Sequence, residues 1–169
     1  MILKSYEIKK INFKKSSVLL FYGENEGSKR EAIELIINTS KIKNIIKYDE
    51  SQILENNSNF LDEIFSGSLF ENEKIILVNK ASDKLFKEIS DVIDKGIKDV
   101  NLIINSKSLE KKSKLRNLFE KNKDLICVPF YADGNETLSK IALNFFIKNK
   151  IRISQSSINL IISRSNGDR

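Results

Sequence analysis

Apolar positions along the chain alternate between unbroken runs and helical faces. Val18-Leu19-Leu20-Phe21-Tyr22 is a β-rich run that ends at Gly23, the pattern of a strand covered on both sides. Ser28 to Asn38 follows, with Ala32, Ile33, Ile36 and Ile37 on one helical face. Ile45, Ile46 and Tyr48 predict a short second strand. Leu61, Ile64 and Phe65 predict a helix, for which Gly67 is a natural stop. Lys74 to Val78 reads as a strand. Residues 81–94 read as a helix through Leu85, Phe86, Ile89, Val92 and Ile93. Leu102-Ile103-Ile104 is another buried strand, residues 109–121 a helix with Leu115, Leu118 and Phe119 inward, and residues 125–131 a last strand with Pro129 near its end. Strands that alternate with helices and are almost wholly apolar predict an α/β fold: a parallel five-stranded sheet flanked by helices on both faces.

The pattern changes after Tyr131. Ala132-Asp133-Gly134-Asn135 reads as a linker. Leu138, Ile141, Ala142, Phe145 and Phe146 then make an amphipathic helix, and Ile158, Ile161 and Ile162 make another that starts near Ser154. Two helices bury too little apolar surface to stand alone, so residues 135–169 read as the start of a second, helical domain that is cut short.

Composition narrows the function classes. The net charge is +6, but Ile (26), Lys (24) and Asn (18) together make up 68 of 169 residues. AT-only codons encode all three, so base composition explains the lysine excess as readily as an anionic partner does, and the charge alone is a weak argument for nucleic acid. There is no histidine, which excludes a Ser-His-Asp triad and a His-ligated zinc. A single cysteine, Cys127, excludes an internal disulfide framework and a multi-cysteine metal cluster. No apolar run approaches the roughly 18 residues of a membrane span. The first residues lack an apolar stretch of signal-peptide length. The expectation is a cytoplasmic protein with no membrane partner and no metal.

The first strand runs through Gly23-Glu24-Asn25-Glu26-Gly27-Ser28-Lys29-Arg30 into a helix, the location of a phosphate-binding loop. A working loop reads G-x-x-x-x-G-K-[ST], with glycines that let amides close on phosphate, a lysine for its charge and a hydroxyl for magnesium. Here Ser28 takes the second glycine position, Lys29 the lysine position and Arg30 the hydroxyl position, and Glu24 and Glu26 would face a triphosphate with negative charge. The strand ending at Val78 continues into Asn79-Lys80 and offers no carboxylate to organise magnesium. Gly23, Gly27, Ser28 and Lys29 therefore read as a degenerate, inactive loop kept for helix packing. A weak anion site at the helix N-terminus, using Lys29, is the functional alternative. No catalytic residue is identified.

Residues 49–73 hold seven acids and neither Lys nor Arg; removing them leaves the rest of the chain at +13 against a total of +6. Inside this acidic segment sits Ser68-Leu69-Phe70. Two large apolar side chains at such a junction ordinarily cap the core. Alternatively they form a protruding plug, since exposing Leu or Phe costs roughly 1.5–3 kcal/mol each unless a partner buries them.

Taken in order, four stretches carry a resemblance: residues 20–27; Ser68-Leu69-Phe70 with the following strand; residues 105–115; and residues 151–154 with 166–169. The chain resembles the delta-subunit family of bacterial DNA polymerase III, in a form similar to alphaproteobacterial members, over nearly its whole length. The resemblance implies an AAA+ RecA-like domain over residues 1–132 and the start of a helical lid domain over 135–169, with the family's C-terminal collar domain absent. It implies an accessory subunit of a DNA-directed DNA polymerase holoenzyme, without catalysis of its own. Leu69 and Phe70 would contact the beta sliding clamp, with Ser68 as adjacent support, and would open the ring. The gamma/tau and delta prime subunits, joined through the collar, would be the partners. They, not this chain, would bind ATP, so no cofactor is implied, and primed DNA would be met through the complex. Without a collar the chain should bind clamp but not assemble stably into a loader.

Two rival readings are a divergent P-loop ATPase and a basic nucleic-acid-binding module. For the second, Lys111, Lys112, Lys114 and Arg116 are the candidate DNA contacts, set against a solvated lysine-rich surface. A phospho-receiver-like domain would need clustered acids at strand ends, and only Asp49-Glu50 offers a pair.

Overall fold

Every position of the strand Val18–Gly23 (β1) is buried, as the unbroken apolar run requires. In the computed structural model, which describes residues 1–13, 16–66 and 73–165, β1 lies inside a five-stranded parallel sheet. The other strands are Asn44–Asp49 (β2), Lys74–Ala81 (β3), Val100–Ser106 (β4) and Ile126–Phe130 (β5), in the order β2-β3-β4-β1-β5. The predicted α/β architecture is therefore the observed one.

Strand periodicity divides the core in two. Leu20 and Tyr22 of β1, Ile76 and Val78 of β3, and Leu102 and Ile104 of β4 point to one face. There they meet Ile53 of the helix Glu50–Glu55 (α2), Phe60 and Ile64 of Asn57–Phe65 (α3), Ile89 and Val92 of Phe86–Lys95 (α4), and Leu115 and Phe119 of Lys114–Lys121 (α5). Leu19, Phe21, Ile75, Leu77, Ile103 and Val128 point to the other face. That face is covered by Ala32, Ile33 and Ile36 of Glu26–Ser40 (α1) and by Ile8 of a 3₁₀ helix over Ser5–Lys10.

Three local readings differ from expectation. The helix expected over 109–121 begins only at Lys114. Ser113 caps it by accepting from the Arg116 amide, and Asp83 accepts from the amides of Lys114 and Leu115, so the preceding residues turn instead. β3 runs past Val78 to Ala81 through an irregularity at which Lys80 takes a left-handed conformation (φ 56°). The segment after β2 holds a separate short helix, α2, because Asp49 and Gln52 form a capping box.

Beyond β5, Asn135–Lys148 (α6) and Gln155–Ser165 (α7) pack through Leu138, Ile158 and Ile162, flanked by Ala142 and Ile153. Ser154 accepts from the Ser157 amide at the start of α7. Leu143, Phe145, Ile147 and Leu160 stay exposed on this pair. No helix among the described residues is long and apolar enough to cross a membrane.

Candidate functional site

In an open parallel sheet, ligands sit beyond the carboxyl ends of the strands, and here those ends belong to β1, β3 and β4. Gly23 closes β1 at φ 130°, and a Cβ there would stand 2.0 Å from the Phe130 carbonyl oxygen. Only glycine permits this approach between β1 and β5, so the residue that opens a phosphate loop is fixed here by sheet packing.

Several of the amides that could cradle phosphate are used within the chain. Gly23 N donates to Lys107 O (3.2 Å), Asn25 N to Phe130 O (3.4 Å) and Glu26 N to Glu24 O (2.9 Å). Ser28 N donates to the Asn25 side chain (2.9 Å), which caps α1. The Asn25 amide group in turn donates to Tyr131 O (3.1 Å) and to Asp133 Oδ2 (2.8 Å), tying the start of α1 to the chain leaving β5. Gly27 is buried in the first turn.

Lys29 is 0% exposed. Its ammonium donates to Glu26 Oε1 at 2.7 Å and to Ser106 O at 2.6 Å, at the carboxyl end of β4. The lysine that would neutralise a phosphate is aimed at the sheet. Glu26 is the exposed partner, at 58%. Where a magnesium-organising acid would stand, β3 and β4 present Asn79 and Asn105, 3.4 Å apart. The two acids at the end of β2 are engaged separately: Asp49 pairs with Lys80 (2.7 Å) and Glu50 accepts from the Ser82 amide (2.6 Å).

The candidate DNA contacts divide. Lys111, Lys112 and Lys114 are exposed, and Lys112 pairs with Glu110 at 3.0 Å. Arg116 turns inward instead. Its Nε meets Glu120 at 2.7 Å, one terminal nitrogen donates to Leu109 O, and the guanidinium lies 5.0 Å from the Tyr22 ring centroid. Sequence charge does not separate these residues; the i,i+4 spacing of Arg116 and Glu120 is the one signal that could have. Burial pushes the Tyr22 hydroxyl up in pKa and the Cys127 thiol up to about 12, so Cys127 is a packing residue of β5 and not a nucleophile.

Ser68, Leu69 and Phe70 lie outside the described residues. What is described is where the chain leaves α3 and re-enters the sheet. The Lys74 ammonium, at the first position of β3, meets Glu63 Oε1 (2.8 Å), Glu63 O and Ser66 O (3.3 Å) at the end of α3. Sequence reading passed over Lys74 as one lysine among 24. Its place inside the apolar strand Lys74–Val78 was the available signal.

The family model for the DNA polymerase III delta subunit matches residues 19–128. No curated protein sequence matches the chain. Among solved structures, the Bacillus subtilis DNA clamp loader delta protein aligns over 93% of this chain at a TM-score of 0.60 and 12% identity. The RuvB Holliday junction branch migration motor of Thermotoga maritima aligns over 97% at 0.60 and 16%. Domain III of the Thermotoga maritima replication initiation protein DnaA aligns over 97% at 0.55 and 13%. These likenesses show the fold, and the aligned parts are 50%, 55% and 75% of those chains. This chain thus spans about half the length of the Bacillus protein.

Proposed function

The chain belongs to the DNA polymerase III delta-subunit family, and from that premise we propose that it serves in clamp loading: it binds the beta sliding clamp and opens the ring without hydrolysing ATP itself. The match over residues 19–128 carries this reading. The self-satisfied loop supports the second half of it, because the amides of Gly23, Asn25, Glu26 and Ser28 and the Lys29 ammonium already have partners. Leu69 and Phe70, supported by Ser68, are the clamp-binding pair in this proposal. Residues 1–132 form the AAA+ domain and 135–169 the start of its helical lid. The gamma/tau and delta prime subunits bind the nucleotide, and primed DNA is met through the assembled complex in the cytoplasm.

The mechanism is a population shift. A plug that fits the open ring better than the closed ring moves the equilibrium by its differential affinity, and no bond chemistry is required. A pull-down of the chain with its cognate clamp, with and without Mg-ATP, tests the reading. Binding is expected in both conditions. Leu69→Ala combined with Phe70→Ala is expected to abolish it while urea unfolding stays cooperative. A double variant that loses several kcal/mol of stability instead places the pair in the core and refutes the plug.

A further inference from the structure

While Leu115 and Phe119 of α5 pack into the core, Lys114, Asn117, Leu118 and Lys121 follow an i, i+3, i+4, i+7 pattern and share another face of the helix. With Phe86 at the first position of α4 and Asn122-Lys123 beyond α5, that face lines an open groove of about 700 Å³. Phe86 and Leu118 are half-buried and give the groove its apolar surface. Lys114, Lys121 and Lys123 are exposed, and no lining residue is acidic. Lys114 and Lys121 stand roughly 10 Å apart along the helix axis, with Leu118 between them. The carboxylates that flank α5 are engaged elsewhere. Asp83 accepts from Ser113 Oγ (2.6 Å) and the Leu115 amide (2.9 Å), and Glu120 holds Arg116 (2.7 Å). None of the three groove ammoniums forms an ion pair with a described residue. The groove thus keeps Lys114 from the sequence-predicted basic set, drops the inward Arg116, and adds Lys121 and Lys123.

We propose that this groove binds single-stranded DNA directly, with the three ammoniums on phosphates and a base stacked against Phe86. Cations around an aromatic and apolar patch suit a ligand that alternates charge with flat apolar faces, and an unpaired strand is such a ligand. An acidic peptide would match the charge, but its backbone N–H and C=O groups would need partners. The amides that could supply them are spent: the Asn117 side chain donates to Lys111 O and Ser113 O, and Asn122 Oδ1 accepts from the Asp124 amide. DNA is the strand chosen because the family is that of a DNA polymerase subunit. The proposal goes beyond clamp binding and does not depend on it, since it gives this chain a strand contact of its own.

The test is fluorescence anisotropy of a labelled oligothymidylate of roughly 16 nucleotides, titrated with the whole chain and with no clamp present. Three phosphate contacts predict a slope of log affinity against log salt of about −2, so binding should weaken about fifteenfold between 50 and 200 mM salt. Lys114→Gln, Lys121→Gln and Lys123→Gln together should weaken binding at least about tenfold and bring that slope toward zero. All three positions are exposed, so the thermal unfolding midpoint should not move. Phe86→Leu keeps an apolar side chain and loses the ring. It should weaken binding about tenfold with the slope unchanged, and the lysine variant alone decides the matter if Phe86→Leu unfolds. Replacing three exposed lysines outside the groove, Lys9, Lys43 and Lys148, by Gln makes the same change in net charge and should alter affinity by no more than about twofold. A parent chain that does not bind the strand, a groove variant that binds as the parent does, or an outside-lysine variant that loses as much as the groove variant overturns the proposal. An acidic peptide with one phenylalanine that binds the parent more tightly than the oligonucleotide, and is lost in the groove variant, makes the groove a protein-docking surface and overturns it as well.

Discussion

Replacing Lys29 by alanine separates a phosphate-binding lysine from a structural one. In a working phosphate loop the lysine faces its ligand, so its removal abolishes nucleotide binding and leaves the fold nearly as stable as before. Here the side chain is fully buried and bridges the first turn of α1 to the end of β4. Truncation leaves a cavity the length of the lysine stem, worth about 2–5 kcal/mol for a large buried side chain. It also strands the Ser106 carbonyl, worth about 1–3 kcal/mol. The Glu26 carboxylate is largely exposed and adds little. The loss should be about 4 kcal/mol, a large part of an ordinary domain's stability, and should lower the unfolding midpoint by roughly 10 °C in a chain of this size. Circular dichroism during thermal and urea unfolding measures it, with and without Mg-ATP. A ligand at a hundred times its dissociation constant would stabilise the folded chain by about 2.7 kcal/mol, and none of that shift is expected in the parent. A Lys29→Ala chain as stable as its parent, or a parent midpoint that Mg-ATP raises, refutes the argument.

Two further outcomes follow from the same geometry. Gly23→Ala would place a methyl group 2.0 Å from Phe130 O at φ 130°, so it should destabilise the sheet by at least about 2 kcal/mol; a variant unfolding at the parent urea midpoint contradicts this. Burial opposes ionisation of Asp83, but hydrogen bonds from Ser113 Oγ and the amides of Leu115 and Lys114, with the Lys114 charge, outweigh it and hold the carboxyl below its ordinary pKa. A depressed folded pKa contributes stability above the unfolded value of about 3.9 that is lost as pH falls through the folded one. Asp83→Asn should therefore be less stable than the parent at pH 7, with the gap narrowing as pH falls through the folded pKa, and a gap in urea midpoints that does not change with pH overturns the assignment.

The sheet was legible because its strands are apolar on both faces, so a run such as Leu19-Leu20-Phe21 reads as a strand whichever side each residue packs on. Helix starts were less legible where a distant residue sets them. Lys114 begins α5 because Asp83, 31 positions earlier, accepts from its amide, and no periodicity within residues 109–121 encodes that. The degenerate loop was legible as chemistry missing from a motif. That the vacated roles are filled from within, by the Asn25 cap and the inward Lys29, depends on β4 and on the chain after β5 and could not be read from the loop itself. Arg116 was misplaced in part by the same limitation: Glu120 is one turn along α5, but the Tyr22 ring comes from β1 and only the fold brings it to the guanidinium.

Lysine shows why net charge said so little. Among the described residues two lysines are buried, Lys29 and Lys74, and both direct their ammonium to backbone carbonyls at the end of an element: Ser106 O closing β4, and Glu63 O and Ser66 O closing α3. Each also holds a glutamate with a partly exposed side chain, so each cation is neutralised near the surface without a second charge being fully desolvated. These two positions join the first turn of α1 to the carboxyl end of β4 and the end of α3 to the start of β3. The exposed lysines, including Lys111, Lys112 and Lys114, supply most of the basic charge and are replaceable in packing terms. A count of positive residues weighs both kinds equally. The fold does not: the two cations hidden from any charge-based reading are the ones that join its elements.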